Sequence, residues 1–350
     1  MTTLQPTVFR AIVLTALFVL SACSDQVASK PKQSPYTFVT TSHLFNISAA
    51  DPEHVWAVGF NSLILHSSDG GTSWEQQQST VKLNLADICF VDRTQGWICG
   101  RLGTVLHTAD GGRNWVPQKS TVDKHLIDIT FVDKDHGWAV GDFGTIIHTA
   151  DGGSTWVSQG MGRDELYNGV CFVDRNRGWI VGEYGVIYHT SDAGRTWVQQ
   201  ECRDIIPEHD ETEWESFPPT LYGLFFSDER HGWASGMDGT IIGTDNGGRS
   251  WHAVSNPAQS SKVTLYQISI IGAHGWAIGQ KGTFLASRDG GRTWQLRSQA
   301  TRTKFWLRGM NFTDERQGWA VGSRGTIIKT VNGGDSWDML SGIFLKTDAE

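Results

Sequence analysis

The chain has 350 residues, 39% of them hydrophobic, with a formal net charge of −8. Sixteen Trp and sixteen Phe supply apolar mass for a large core, and 40 Gly against 9 Pro mark a chain of tight turns, not a disordered one. The acidic balance argues against a nucleic-acid binder, which usually carries a basic stripe, so no nucleic-acid partner is expected.

Residues 1–22 read as an export signal. Arg10 gives a short positive region, and residues 11–20 an apolar stretch too short to be a good membrane span. The following Leu20-Ser21-Ala22-Cys23 resembles the bacterial lipobox, whose Cys is acylated and becomes the mature N-terminus. Several acyl chains hold a protein to a membrane stably, where a single one is marginal. Ser24, where Asp would retain the protein at the inner membrane, resembles the outer-membrane-sorted class of Gram-negative lipoproteins. The expected location is therefore exported and lipid-anchored through Cys23. That means the periplasmic side of the outer membrane, or the thylakoid lumen in a photosynthetic host. Residues 23–35 read as a flexible tether.

From residue 36 the chain repeats. Trp56, Trp97, Trp138, Trp179, Trp233, Trp276 and Trp319 are spaced by 41, 41, 41, 54, 43 and 43 residues, and Trp74, Trp115, Trp156, Trp197, Trp251, Trp294 and Trp337 follow with the same spacings. Fourteen of the 16 Trp thus belong to one unit occurring seven times. The third copy predicts four strands: an apolar run from Leu126 to Val132, then Gly137 to Val140, then Thr145 to Thr149, and a last one from Trp156. Gly and Asp clusters separate them, as hairpin turns require. Units of this size with four antiparallel strands are propeller blades, and seven is a common ring. The predicted fold is all-β: a seven-bladed β-propeller over residues 36–345. Its blades lie near 41–80, 81–121, 122–162, 163–218, 219–260, 261–303 and 304–342, with a tail at 346–350. Tyr36–Val39 or Ile343–Leu345 would each supply a closing strand.

The turn before strand four has the form Ser/Thr-x-Asp-x-Gly-x-x-Trp, as in Ser67 to Trp74. It resembles the Asp-box of sialidase-type propellers. The carboxylates of Asp69, Asp110, Asp151, Asp192 and Asp289 accept hydrogen bonds from turn N–H groups, and Asn246 and Asn332 accept the same bond without charge. The Trp then covers the turn. A carboxylate repeated around a ring is architecture, not a catalytic site.

Strand one lines the ring centre in a propeller, which there places Phe45, Asn46, Asp87, Asp128, Asn168, Tyr222, Tyr266 and Arg308. Asp87 and Asp128 sit at one repeat position in adjacent blades and read as polar channel lining, with a carboxylate pair for glycoside hydrolysis as the rival. Tyr167, Tyr222, Tyr266, Trp306 and Arg308 near the strand-one starts form a possible contact cluster, since Tyr, Trp and Arg anchor interfaces. His66, His107, His148 and His189 recur at one strand-three position. Blades stand on the order of 10 Å apart, too far for a shared metal ion, so these read as partly exposed strand residues. Cys89 and Cys99 face each other if their hairpin turns at Thr94, but the equivalent pairs in other copies mark both as small core positions. The spacing of 54 marks an insertion at 201–219, rich in acid, with Trp214 and Pro218-Pro219.

The unit Gly-Trp-Ala-Val-Gly … Gly-Thr-Ile-Ile-His-Thr-x-Asp-Gly-Gly-x-x-Trp resembles the photosystem II stability/assembly factor family over roughly residues 36–342. The resemblance implies a non-catalytic seven-bladed scaffold that holds a membrane or envelope protein during assembly, a photosystem II reaction-centre subunit if the host is photosynthetic. It implies an arginine patch, for which Arg101, Arg113, Arg195, Arg249, Arg292 and Arg324 are the candidates beside Arg308, Tyr222 and Trp306. Asp142, Glu183, Met237 and Gln280 at equivalent loop positions break any uniform basic face. No catalytic residue, metal or cofactor is expected, and a monomer is. The alternative is an Asp-box carbohydrate-active propeller, either a sialidase-like glycosidase or a lectin.

Overall fold

The computed structural model describes residue 1 and residues 40–207 and 217–342. Cys23, the tether, both proposed closing strands and residues 208–216 of the acidic insertion lie outside these residues. Among the described residues no helix is long and apolar enough to cross a membrane.

Seven four-stranded antiparallel sheets follow in chain order, each built from contiguous strands. They span Leu44–Gln77, Leu85–Gln118, Leu126–Ser158, Tyr167–Gln200, Leu221–Ala253, Leu265–Leu296 and Leu307–Ser341. The first strand of blade 7 packs against the first strand of blade 1, closing the ring. The predicted strands of blade 3 are close to the observed Leu126–Phe131, Gly137–Gly141, Ile146–Thr149 and Val157–Ser158. Strand two, Gly137–Gly141, is buried at every position. It lies between two neighbouring blades, so both its faces must be apolar or small.

The seams explain the repeat. Between blades 2 and 3, Trp97 lies flat between His107 of its own blade, 4.9 Å away, and Phe131 of the next, 3.7 Å away. Its indole N–H donates to the Gly152 carbonyl in the next blade's box turn at 3.0 Å. Phe131 meets Trp156 edge-on. Gln118, at the end of blade 2, donates to the same Gly152 carbonyl at 2.9 Å and accepts from the Trp156 indole at 3.1 Å. Gln77 and Gln200 repeat this double bridge at the 1/2 and 4/5 seams. The four histidines are the partly exposed strand residues expected, and each ring also packs on the Trp of its own blade. Burial lowers the His148 pKa to about 4 and lowers those of His107 and His189, so these three rings stack neutral.

The 5/6 and 7/1 seams are built differently. At 5/6, Ile270 replaces the Phe and Gly243 the His, and Trp233 is only partly buried. At 7/1, Lys329 takes the His position, lies 5.3 Å over the Trp319 ring and donates to the Gly70 carbonyl at 2.7 Å. Trp74 and Trp294, lacking a preceding Gln, donate instead to Gly71 and Gly291 of their own turns.

Register corrects one expectation. Cys89 pairs across the hairpin with Trp97, and Cys99 with Asp87. The hairpin turns one residue earlier than symmetry about Thr94 requires, so the two thiols do not face each other. Cys89, Cys99, Cys171 and Cys202 are all free.

Box turns place a residue in the left-handed region, Gly in six blades and Ala193 (φ 62°) in blade 4. Ala193→Gly should therefore raise stability by several tenths to about 1 kcal/mol, read as a shift in the urea midpoint. Trp138→Ala should cost about 3–5 kcal/mol by emptying a full aromatic stack, and Trp233→Ala, partly exposed and without that stack, clearly less. Equal losses in chemical unfolding would show that the seams are equivalent.

Candidate functional site

In all seven blades the pairing of strands one and two slips by one residue near the ring axis, as between Leu85 and Asp87. Such a bulge leaves one residue unpaired and re-aims its side chain. The bulged positions are Phe45, Ala86, Ile127, Asn168, Tyr222, Tyr266 and Arg308, and all seven line the central channel, a cavity of about 320 Å³. One arc of the channel is small or apolar, and the opposite arc carries two tyrosines, an arginine and a phenylalanine. Asn46, Asp87 and Asp128 belong to the next position along the strand. Tyr167 stands one position before the bulge, buried inside blade 4, where its hydroxyl donates to Glu165 at 2.9 Å. It is not part of the aromatic cluster with Tyr222, Tyr266 and Trp306.

Strand one is the inner edge of every sheet, and an edge leaves backbone groups unpaired. Side chains of the preceding blade take them up. Ser48 accepts from the Phe90 N–H at 3.0 Å, Asp87 from Ile129 at 2.8 Å, Asp128 from Val170 at 2.7 Å and Asn311 from Ala49 at 3.2 Å. Asp87 is 3% exposed and also accepts from the Ile88 N–H at 2.7 Å and from Asn46. Burial pushes its pKa well above 3.8, and the adjacent Asp128 pushes it further through like charge and a shared hydrogen bond. Its oxygens accept from Asn46 of the blade before and Ile129 of the blade after, so the position straps neighbouring blades together. The channel-side cysteines are inert, since burial raises Cys89 and Cys171 to about 12.

Arg308 is the exception in this wall. It is enclosed by the strand-one ring yet exposed to channel water, and it makes no hydrogen bond or ion pair among the described residues. Tyr266, Asp87, Tyr222 and Asp128 lie close enough to act on its charge. Its guanidinium stands 5.4 Å over Phe45, which stacks on Trp306 at 6.3 Å, and Trp306 meets His43 at 5.4 Å. Tyr222 and Tyr266 pair edge-on at 5.6 Å. The result is an aromatic mouth with one unpaired cation.

A family model described as Photosynthesis system II assembly factor YCF48 matches residues 26–121, 113–212 and 206–303. The chain belongs to this family. Photosystem II assembly lipoprotein Ycf48 of Prochlorococcus marinus (strain MIT 9313) is 36% identical over 81 residues, 22% of this chain and 24% of that one. The match thus spans about a quarter of that relative's length. The solved structure of YCF48 bound to D1 peptide is similar with a TM-score of 0.67 at 22% identity, over 84% of this chain and 93% of that chain. An ancestral GH74 enzyme is similar with a TM-score of 0.66 at 12% identity, over 87% of this chain and 46% of that chain. At these identities both structures show the fold alone.

The arginine candidates of this YCF48-family chain do not converge. Arg101 lies in the connection between strands two and three, its N–H bound to Asn84 just before strand one, and Arg324 occupies the same connection in blade 7. Both stand at the end of the ring where the channel mouth opens. Arg113, Arg195, Arg249 and Arg292 lie in box turns, which bond to the strand one–two turns at the opposite end, as Gly111 does to Thr94. Arg324 sits 4.8 Å over Phe305 and its N–H donates to His43, so only Arg324 and Arg101 share the end that carries Arg308.

The box carboxylates are fully used. Asp289 is held at about 2 by the Thr293 hydroxyl and backbone, against the opposing effect of burial. Asp51, Glu53 and His54 come together within ligand reach of one another. Asp51 is, however, already braced by His54 at 3.1 Å and by Arg93 of the next blade at 2.5 Å. The same brace recurs at Asp133, His136 and Arg175, which makes it a turn device. Sequence reasoning missed the bridging glutamines, whose signal is a Gln three residues after the box Trp in blades 1–4.

A carboxyl that keeps its proton to higher pH in the folded chain contributes stability present below about 4 and lost as pH rises towards the folded value. Asp51, Asp133 and Asp228, held low, act in the opposite sense only in more acid solution. Asp87→Asn should therefore keep the fold and flatten the fall in melting temperature above pH 4. An unchanged slope in thermal melts would place the proton elsewhere.

Proposed function

We propose that this chain is a non-catalytic, lipid-anchored scaffold that binds a membrane or envelope protein during assembly of its complex. The partner is a photosystem II reaction-centre subunit if the host is photosynthetic. The observation that carries the reading is membership of the YCF48 family across most of the chain. That a relative of the same fold is solved with D1 peptide supports a reaction-centre segment as the partner. The lipoprotein relative supports the anchor at Cys23.

The geometry adds a place for the contact. An exposed arginine with no partner of its own loses little by accepting one, and aromatic rings around it supply area to bury. Arg308, Tyr222 and Trp306 at the channel mouth, with Arg101 and Arg324 beside them, form the binding end. Arg113, Arg195, Arg249 and Arg292 serve their turns.

Capture from solubilised membranes tests both parts. The wild-type chain should recover one reproducible membrane protein. Arg308→Ala should weaken that capture about tenfold or more, the loss expected of an anchor residue, while Arg113→Ala at the opposite end leaves it unchanged. Recovery of no reproducible partner sinks the scaffold reading. Equal loss from both variants sinks the assignment of the mouth.

A further inference from the structure

The connections between strands two and three turn at the channel-mouth end, and each puts its second residue at a φ of 54–56°. Asn and Asp suit this left-handed conformation, and blades 1 and 5 place Asn61 and Asp238 there. Blades 2, 3 and 4 instead place Leu102, Phe143 and Tyr184, bulky residues that the conformation strains. Their exposures are 64%, 62% and 54%. None belongs to a core cluster. Phe60 and Met237 continue the exposed apolar series in blades 1 and 5. Phe143 meets the Lys124 ammonium, at 5.3 Å, and Tyr184 the exposed Phe217, at 4.8 Å, and the backbone would be easier without these side chains.

Two further observations say what covers them. The chain enters the ring at this end: the Thr40 carbonyl lies against Gly325 in the blade 7 connection. Sixteen residues separate Thr40 from Cys23, a reach of at most about 60 Å when extended. The neighbouring sector is basic. Lys262, Lys281, Arg297, Arg302, Lys304 and Arg324 are exposed in the loops of blades 6 and 7 at this end, with no acidic residue among those loops.

We propose that this end of the ring lies against a lipid bilayer. Leu102, Phe143 and Tyr184 enter the headgroup region, and the basic sector meets anionic headgroups. The proposal deepens the anchored-scaffold reading, since the mouth carrying Arg308 would then face the membrane from which a partner's segment emerges.

The test is amide hydrogen exchange on the full-length chain, first in detergent and then bound to phosphatidylcholine vesicles with and without phosphatidylglycerol. Exchange around residues 101–103, 142–144 and 183–185 should slow by about tenfold on anionic vesicles, as burial of one apolar side chain would give, while the box turns stay unchanged. The triple variant Leu102→Asn, Phe143→Asn, Tyr184→Asn should melt no lower than wild type and lose that protection. Unprotected loops, protection of the box turns instead, or protection that survives the triple variant would each overturn the proposal. So would protection seen only once a partner protein is added. Loss of partner capture by Arg308→Ala with no effect on vesicle protection separates this surface from the binding site.

Discussion

An indole N–H reaching from one blade to a carbonyl of the next is the contact on which the ring depends. It fixes the angle between sheets, because the Trp ring must also lie flat on the neighbour's Phe. It also explains why the box turn is kept. The carboxylate or carboxamide of the turn orients the backbone so that the carbonyl at its tip points across the seam. Turn chemistry, core packing and ring closure are thus one interaction seen from three sides. Where the aromatic partners are missing, as at Trp233, the seam is left with a half-exposed indole.

The inner edge obeys the same logic with polar groups. Seven exposed strand edges around a wet channel need acceptors for their N–H groups, and Ser48, Asp87, Asp128 and Asn311 supply them from the blade behind. The bulge that follows from closing seven twisted sheets around an axis then presents one further side chain per blade to the channel. Apart from Asn168, which donates to the Leu221 carbonyl of the next blade, and Tyr266, which accepts from Gln280, those side chains make no hydrogen bond among the described residues. Arg308 and its aromatic neighbours occupy positions that architecture leaves free, which is where recognition has room to differ between relatives.

Much of this was legible in the sequence, for a physical reason. Each seam demands a Trp, a box turn and small Gly-flanked strands, so the demands recur seven times and a period emerges. The channel was legible only in part. Counting back along strand one mixed Phe45 and Arg308 with Asp87 and Asp128, because a one-residue slip near the axis leaves no mark in composition. A hairpin centred one residue early rules out the apparent facing of Cys89 and Cys99, and the slip separates Tyr167 from Tyr222. The histidines are the partly exposed strand residues that the sequence suggests, but their packing was not legible in it. Nothing in a strand pattern tells that an imidazole lies against an indole. The split of the arginines between two ends follows from strand direction alone, and needed only that the connections be assigned to opposite ends of each blade.

Each described blade is drawn from one uninterrupted stretch of chain, with no strand exchanged between the first and the last. Such a polypeptide can condense unit by unit as it emerges, each new sheet using its finished predecessor as a template. Nothing must thread through a half-built ring. The last event is the meeting of two surfaces that already exist, where a lysine takes the place of the usual imidazole. A flexible ammonium tolerates imperfect approach better than a flat stack does, which suits a clasp that has to shut after everything else is in place.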